Sequence, residues 1–283
     1  MNKYILTILI LILFSTVSYS QYTIDKNKII ETALLLEYKI GNQTKFGSGF
    51  LIRDNTAVGD FVYLITAKHV LGKTDSNGNF SLFGNELEIT YSGDIYSESV
   101  NKVVIDIANL LNHNLVRFNE GNDAAIIFLA KIIDNKMNYA SVANFKQKVS
   151  HGNSWTTIDS KMLVSFEDVK IGNDAFIFGY PKTLGLGRYP QYDYEKPLLR
   201  KGAIAGIYRT KKTIVVDCPS YGGNSGGPLF TIYPKEKKLK LTGIVVEYIP
   251  QISKVEMNNS GYMVAVSSDI IIELLDTFRE KKS

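Results

Sequence analysis

The sequence contains few of the residues from which disulfides, metal sites and cationic surfaces are built. Its single cysteine, Cys218, can form neither an intramolecular disulfide nor a cysteine-based zinc site. Three histidines, with no His-Glu-x-x-His motif among them, are too sparse for a set of metal ligands. A net charge of +4 over 283 residues is too small to indicate nucleic-acid binding. We therefore expect no metal, no cofactor and no nucleic-acid partner.

Long apolar runs are also scarce, because only residues 4–14, directly after Lys3, are almost wholly apolar. This run has about half the length that a membrane-spanning helix needs. A basic residue, a short apolar core and small residues before Gln21 are typical of a secretory signal peptide. We predict a signal peptide over residues 1–20, a periplasmic or secreted location, and no stable membrane insertion after cleavage. An uncleaved anchor is the alternative.

Short strands separated by turn residues account for most of the remaining chain. Segments rich in β-branched and aromatic residues predict strands, most clearly at residues 61–66, 124–129, 175–178, 213–217 and 241–247. Helical periodicity occurs only at the end, where Ser268 and Asp269 are predicted to cap a helix. The apolar face of that helix comprises Ile270, Ile271, Leu274, Leu275 and Phe278. The pattern predicts an all-β protein of two barrels or sandwiches, closed by one C-terminal α-helix.

The densest chemical signal is the motif GGNSGGPL at residues 222–229. Its glycines and proline predict a tight, exposed turn around Ser225. A serine nucleophile needs a general base, usually a histidine that a carboxylate orients. No histidine follows Ser225, which excludes the chain order of the α/β-hydrolases. His69 and Asp123 precede it at separations that place these two in one barrel and Ser225 in another.

Other candidate residues have weaker surroundings. His113 and His151 lie in polar, loop-like segments and are interpreted as bystanders. Asp106 is the rival carboxylate, but it lies inside an alternating apolar run. Cys218 lacks the glycines that an oxyanion hole needs, so we interpret it as a buried wall residue of a specificity pocket.

Together these segments resemble the trypsin-like (chymotrypsin-fold) serine peptidases, and the bacterial HtrA-like proteases more than the digestive trypsins. The resemblance rests on GSGFLI at 47–52, LITAKH at 64–69, NDAAI at 122–126, FGYP at 178–181, KGAI at 201–204, Asp217, GNSGGP at 223–228 and GYMVA at 261–265. It implies two six-stranded antiparallel β-barrels and a C-terminal helix. Residues 21–150 would form the barrel that carries His69 and Asp123. Residues 151–283 would form the barrel that carries Ser225.

The resemblance also implies a role for each residue. Ser225 would attack a peptide carbonyl, His69 would accept its proton, and Asp123 would orient His69. The backbone N–H groups of Gly223 and Ser225 would form the oxyanion hole. An extended polypeptide substrate would pair with a strand by β-augmentation. The residues predicted to bind it are Pro219, Gly243, Ile244, Val245 and Val246.

The sequence departs from the family pattern in several places. Asn224 stands where trypsins carry an aspartate, so an ion pair to a new N-terminus cannot form. The chain ends soon after the predicted helix, and we expect no PDZ domain. Pro219 falls near the pocket base, where trypsins carry an acidic residue, and we therefore expect a preference for apolar or small side chains. Residues 182–197 form either a substrate-contacting flap or an ordinary surface loop.

The function predicted from these residues is an exported serine endopeptidase that acts through an acyl-enzyme. Two alternatives stay open: a catalytically latent peptide-binding pseudo-protease, and an esterase on the same scaffold. The sequence indicates no oligomeric state.

Overall fold

The computed structural model describes residues 26–151, 155–184, 189, 191–233, 238–252 and 257–279. The predicted signal peptide, residues 1–20, lies outside this part of the chain. The helices are α1 Lys26–Ile30, α2 Lys68–Leu71, α3 Ile107–Asn112 and α4 Ser268–Arg279. The first strands are β1 Ala33–Ile40, β2 Gln43–Thr56, β3 Gly59–Thr66, β4 Gly72–Thr74, β5 Phe80–Leu82, β6 Glu86–Tyr91, β7 Asn101–Asp106, β8 Val116–Phe118, β9 Ala125–Ile133, β10 Lys136–Tyr139 and β11 Lys146–Val149. The remaining strands are β12 Thr157–Asp159, β13 Asp174–Gly179, β14 Leu198–Tyr208, β15 Thr213–Asp217, β16 Pro228–Tyr233, β17 Lys238–Ile252 and β18 Met257–Ser267.

The strands up to β12 form the N-terminal body. Its main sheet runs in the order β10-β9-β3-β2-β1-β6-β7-β11, with β8 paired to β9 and β12 paired to β2. The long strand β2 pairs with β1 along its first part and with β3 along its second part, so it connects the two halves of the sheet. All of these pairings are antiparallel except that of β12 with β2, which is parallel.

The last six strands form a closed barrel, the C-terminal barrel, in the order β13-β14-β15-β18-β17-β16. Its interior is a separate apolar cluster built from alternate residues of these strands, as a strand that faces the inside of a barrel requires. Cys218 is one of its buried members. The larger apolar cluster fills the N-terminal body and continues onto the outer face of the barrel, so that one continuous apolar core joins both bodies.

The predicted fold class is confirmed: the chain is mostly β-strand, with a closed six-stranded barrel and a C-terminal helix. Four of the five clearest predicted strands fall within β3, β13, β15 and β17, and the fifth, 124–129, begins one residue before β9. The N-terminal body differs in detail from a six-stranded barrel, because its sheet has ten strands. The division at residue 150 stays a prediction. No helix in the described segments is long and apolar enough to span a bilayer.

Helix α4 buries the predicted apolar face against the core shared by both bodies. The side chains predicted to cap it bind the preceding loop instead. Ser268 Oγ donates to the carbonyl of Val164, and Asp269 Oδ1 accepts the N–H of Phe166 at 2.9 Å. These two side chains therefore hold the start of the helix against the chain that enters the barrel.

The end of α4 is fixed by an ion pair with the N-terminal body. Arg279 donates through Nε and Nη2 to both oxygens of Asp54, at 3.0 and 2.7 Å. Asp54 lies on β2 with its side chain only 2% exposed, and Arg279 compensates the negative charge of this buried carboxylate. The pair also raises the pKa of Arg279, chiefly through the hydrogen bond to Asp54.

We expect the substitution Arg279→Ala to lower the free energy of unfolding by about 3 kcal/mol, because it leaves the buried Asp54 carboxylate unpaired. Urea denaturation monitored by circular dichroism would measure the loss. Arg209→Ala is the matched control, since Arg209 pairs with the exposed Glu167 and its loss should change stability by less than about 0.5 kcal/mol. Equal losses in the two variants would contradict the structural role of Arg279.

Candidate active site

The three residues predicted to carry the chemistry lie on one cleft between the two bodies. His69 is in α2, immediately after β3, and Asp123 is in the turn before β9. Ser225 comes from the other body, in the turn that precedes β16. The cleft has a volume of about 510 Å³. It is lined by His69, Asp123, Ser220, Tyr221, Gly222, Ser225, Val246, Glu247 and Tyr248.

Asp123 binds His69 through both of its oxygens. Oδ2 is 2.5 Å from His69 Nδ1, and Oδ1 accepts the backbone N–H of His69 at 3.0 Å. Burial by itself would raise the pKa of Asp123, but the hydrogen bonds from the ring and backbone of His69 outweigh it, and the pKa is lowered. The carboxylate is therefore ionised at neutral pH and fixes the orientation of the imidazole, leaving Nε2 for chemistry.

The hydroxyl of Ser225 has a partner other than the imidazole. Ser225 Oγ donates to the carbonyl oxygen of Val246 at 3.2 Å, and within the described chain it makes no hydrogen bond to His69. Both side chains nevertheless face the same cleft. A rotation about the Cα–Cβ bond of Ser225 is the motion that would redirect its hydroxyl.

The backbone N–H groups of the nucleophile turn, residues 223–227, divide into two sets. Those of Asn224, Gly226 and Gly227 donate to the carbonyls of Tyr221, Val245 and Asn224, at 3.0, 2.7 and 3.0 Å. Those of Gly223 and Ser225 meet no acceptor in the part of the chain that the structure describes. These are the two donors that the sequence predicts for an oxyanion hole. Backbone N–H groups without an internal partner are available to a ligand.

The direction of the Gly223 N–H is set by its neighbouring peptide carbonyl. The carbonyl of Gly222 accepts hydrogen bonds from both the backbone N–H and Oγ1 of Thr183, each at 3.3 Å. In a trans peptide the C=O and the next N–H point in opposite directions, so the Gly223 N–H points away from Thr183. Gly223 has φ +104°, and an added Cβ would collide with the carbonyl of Tyr180, so only glycine fits here.

Ser48, in the N-terminal body, holds the turn from the opposite side. Its hydroxyl donates to the carbonyl of Gly223 at 2.6 Å and accepts the N–H of Tyr180 at 3.1 Å. Its own N–H donates to the carbonyl of Ser225 at 2.7 Å. Ser48 is fully buried. Its position in one of the family-like motifs predicted no function for it, because its partners are remote in the sequence: Gly223 alone is 175 residues away.

The predicted substrate-binding residues are only partly at the cleft. Val246 lines it, whereas Gly243 and Ile244 are buried and Val245 packs inside the barrel. Pro219 is exposed outside the cleft lining, and its carbonyl accepts from Arg200 Nη1 at 3.2 Å.

Near the predicted pocket base it is Ser220, the residue after Pro219, that lines the cleft. Cys218 is buried as predicted, but in the barrel interior and not in the cleft wall. Burial raises the pKa of its thiol.

The residues interpreted as bystanders have structural partners elsewhere. His113 caps the end of α3, with Nδ1 2.8 Å from the carbonyl of Asn109. Asp106 caps the start of the same helix by accepting the N–H of Asn109 at 2.9 Å. His151 is bound through its backbone to Asn101. None of these three side chains lines the cleft.

The described part of residues 182–197 packs against the N-terminal body. Lys196 donates to Ser92 Oγ at 2.9 Å and to the Ser99 carbonyl at 3.1 Å, and Glu195 binds Lys102. None of these residues lines the cleft, which favours the loop interpretation over a substrate-contacting flap. Residues 185–188 and 190 of this segment lie outside the described residues.

From Val246 onward, strand β17 has an open edge that faces the cleft. Strand β16 pairs with β17 only as far as Ile244. The opposite edge of β17 stays paired with β18, where Glu247 faces Val264 and Tyr248 faces Met263. Within the described residues no other strand covers the edge of Val246–Tyr248. An exposed strand edge is a template for one more strand.

Comparison with known protein families agrees with this geometry. Residues 47–234 match the family model of a trypsin-like peptidase domain, and this range includes His69, Asp123 and Ser225. A solved structure of a serine endoprotease from Yersinia pestis is similar, with a TM-score of 0.45 and 14% identity. The similarity covers 88% of this chain and 62% of that chain, so this chain spans less than two thirds of its length. None of the curated proteins matches the sequence.

We expect Ser48→Ala to slow the reaction of Ser225 with a fluorophosphonate by about tenfold, because the Gly223 peptide loses its anchor and the oxyanion donors shift. Labelling rates from intact-mass spectrometry would measure this on protein shown to be folded. Thr231→Val removes another buried hydroxyl, which is hydrogen-bonded to Thr242 away from the cleft. It should cost comparable stability without slowing labelling. An unchanged rate in Ser48→Ala would refute the positioning role.

Proposed function

Because the chain belongs to the family of trypsin-like peptidase domains, we propose that it is a serine endopeptidase that hydrolyses polypeptides through Ser225, His69 and Asp123. The observation that carries the proposal is that the N–H groups of Gly223 and Ser225 have no partner among the described residues, next to a serine whose cleft also holds an Asp123–His69 pair. Such a cleft offers a nucleophile, an oriented base and two donors for a developing oxyanion.

In the proposed reaction, Ser225 Oγ attacks the substrate carbonyl while His69 Nε2 takes its proton. The carbonyl oxygen gains negative charge and accepts hydrogen bonds from the N–H groups of Gly223 and Ser225. The imidazolium of His69, stabilised by Asp123, then gives the proton to the leaving amine, and an acyl-enzyme forms on Ser225. Water hydrolyses the ester by the same steps, with His69 as base.

The substrate itself helps to align the nucleophile in this scheme. We call the substrate residue whose carbonyl is attacked the acyl residue. Its N–H would donate to the Val246 carbonyl at the open edge of β17. That carbonyl now accepts the Ser225 hydroxyl at 3.2 Å. An N–H from the substrate strand would compete for the same oxygen, and this competition favours rotation of the Ser225 hydroxyl toward His69.

We further propose that the protein is exported, to the periplasm or outside the cell, and that it acts there on polypeptides. The support is the basic Lys3 followed by an apolar run that is too short for a membrane span. Amino-terminal sequencing of the protein purified from its source cells tests the proposal. A chain that starts at Gln21 is expected, and a retained Met1 would count against it.

We expect a fluorophosphonate to add once to residues 21–283 of the wild type and not to the Ser225→Ala variant. Intact-mass spectrometry would show the adduct, and cleavage of an unfolded protein such as casein, measured in parallel, would separate peptidase from esterase activity. Well-folded wild-type protein that forms no adduct would instead support a latent peptide-binding protein. Hydrolysis of small esters alone would support an esterase.

We expect Asp123→Asn to lower kcat by about 10⁴-fold with little change in KM, because the neutral amide orients the imidazole in the wrong tautomer. Steady-state kinetics at pH 7 would measure both constants. Asp106→Asn is the control, since Asp106 caps α3 and should leave kcat unchanged. A small effect of Asp123→Asn would show that His69 does not act through this carboxylate.

A further inference from the structure

The open edge of β17 carries a charged side chain whose place in the cleft follows from strand geometry. Glu247 pairs with Val264 on β18, so their side chains lie on the same face of the sheet. Val264 packs against the apolar core that joins the two bodies. Glu247 therefore lies on the face that is turned toward the N-terminal body, where His69 is located, and it lines the same cleft as His69 and Ser225.

The carboxylate of Glu247 has no compensating charge. It is exposed, and in the described segments it forms no ion pair within 4 Å. Among the described residues that line the cleft, the only other acidic one, Asp123, is bound by His69, and none is a lysine or arginine. Arg200 contacts the cleft wall only through the ring of Tyr221, with its guanidinium carbon 4.5 Å from the ring centroid.

The register of an added strand decides which substrate residue meets Glu247. The added strand runs antiparallel to β17. If the acyl residue donates its N–H to the Val246 carbonyl, the substrate residue two positions before the acyl residue lies opposite Tyr248. The residue between them, directly before the acyl residue, then lies opposite Glu247. Directly opposed side chains have Cβ atoms about 5 Å apart, within reach of a cross-strand ion pair.

From this register we propose that Glu247 is a specificity-determining residue that selects substrates with lysine or arginine directly before the acyl residue, and that it rejects an acidic residue there. This inference rests on the proposed function, because it uses Ser225 to define the acyl residue. The selected class is therefore a polypeptide with a basic residue next to the cleavage site, on its amino-terminal side. The acyl residue itself is selected elsewhere in the cleft.

The test uses fluorogenic peptides that differ only in the residue before the acyl residue, which is Lys, Gln or Glu. We expect kcat/KM to fall in that order, by about fivefold from Lys to Glu, and the difference to shrink at high salt. Glu247→Gln should abolish the difference and Glu247→Lys should invert it. Glu98→Gln is the matched control, because Glu98 is exposed but does not line the cleft.

Equal kcat/KM values for the three peptides, or the same order in Glu247→Gln, would overturn the proposal. If none of the peptides is cleaved, the proposed function fails but the subsite can still be tested. Fluorescence anisotropy of the same peptides, labelled and mixed with Ser225→Ala protein, then reports binding alone. Tighter binding of the Lys peptide than of the Glu peptide, with the difference lost in the double variant Ser225→Ala, Glu247→Gln, would support the subsite. Equal affinities of the peptides for the Ser225→Ala protein would refute it.

Discussion

The hydrogen bonds between Ser48 and the nucleophile turn connect the two halves of the candidate active site. His69 and Asp123 belong to the N-terminal body and Ser225 to the C-terminal barrel, so a shift of one body against the other would separate base from nucleophile. Ser48 prevents this by binding the carbonyls of Gly223 and Ser225 across the junction. These bonds lie in a fully buried site, where losing one leaves polar groups unsatisfied at high cost.

The apolar core that surrounds the junction gives these bonds their rigidity. One continuous cluster includes residues of β2 and β3 together with Phe178, Phe230 and the inner face of α4. Arg279 adds a charged bond between the end of α4 and the buried Asp54 on β2. Helix α4, although last in the chain, therefore binds the first body to the second.

The backbone groups left without partners lie where a substrate would bind. The N–H groups of Asn224, Gly226 and Gly227 donate to backbone carbonyls, whereas those of Gly223 and Ser225 meet no acceptor in the described structure. Strand β17 is hydrogen-bonded on both sides as far as Val245, and from Val246 one of its edges is open. Backbone groups that have no internal partner and face a cleft are available to a ligand, and both of these features lie beside one serine.

Local sequence patterns were enough to locate the clearest strands, the C-terminal helix and the residues of the candidate active site. Alternating and β-branched runs reflect which side chains of a strand are buried, and this is a local property. All three histidines precede Ser225, so only a chain order with the histidine before the serine was possible. Local patterns do not show which distant residues meet. Counting back from Ser225 indicated Pro219 for the pocket, but the fold exposes it and turns Ser220 to the cleft. The positions of Ser48 and Glu247 were decided only by tertiary structure, because packing and strand register between remote segments set them.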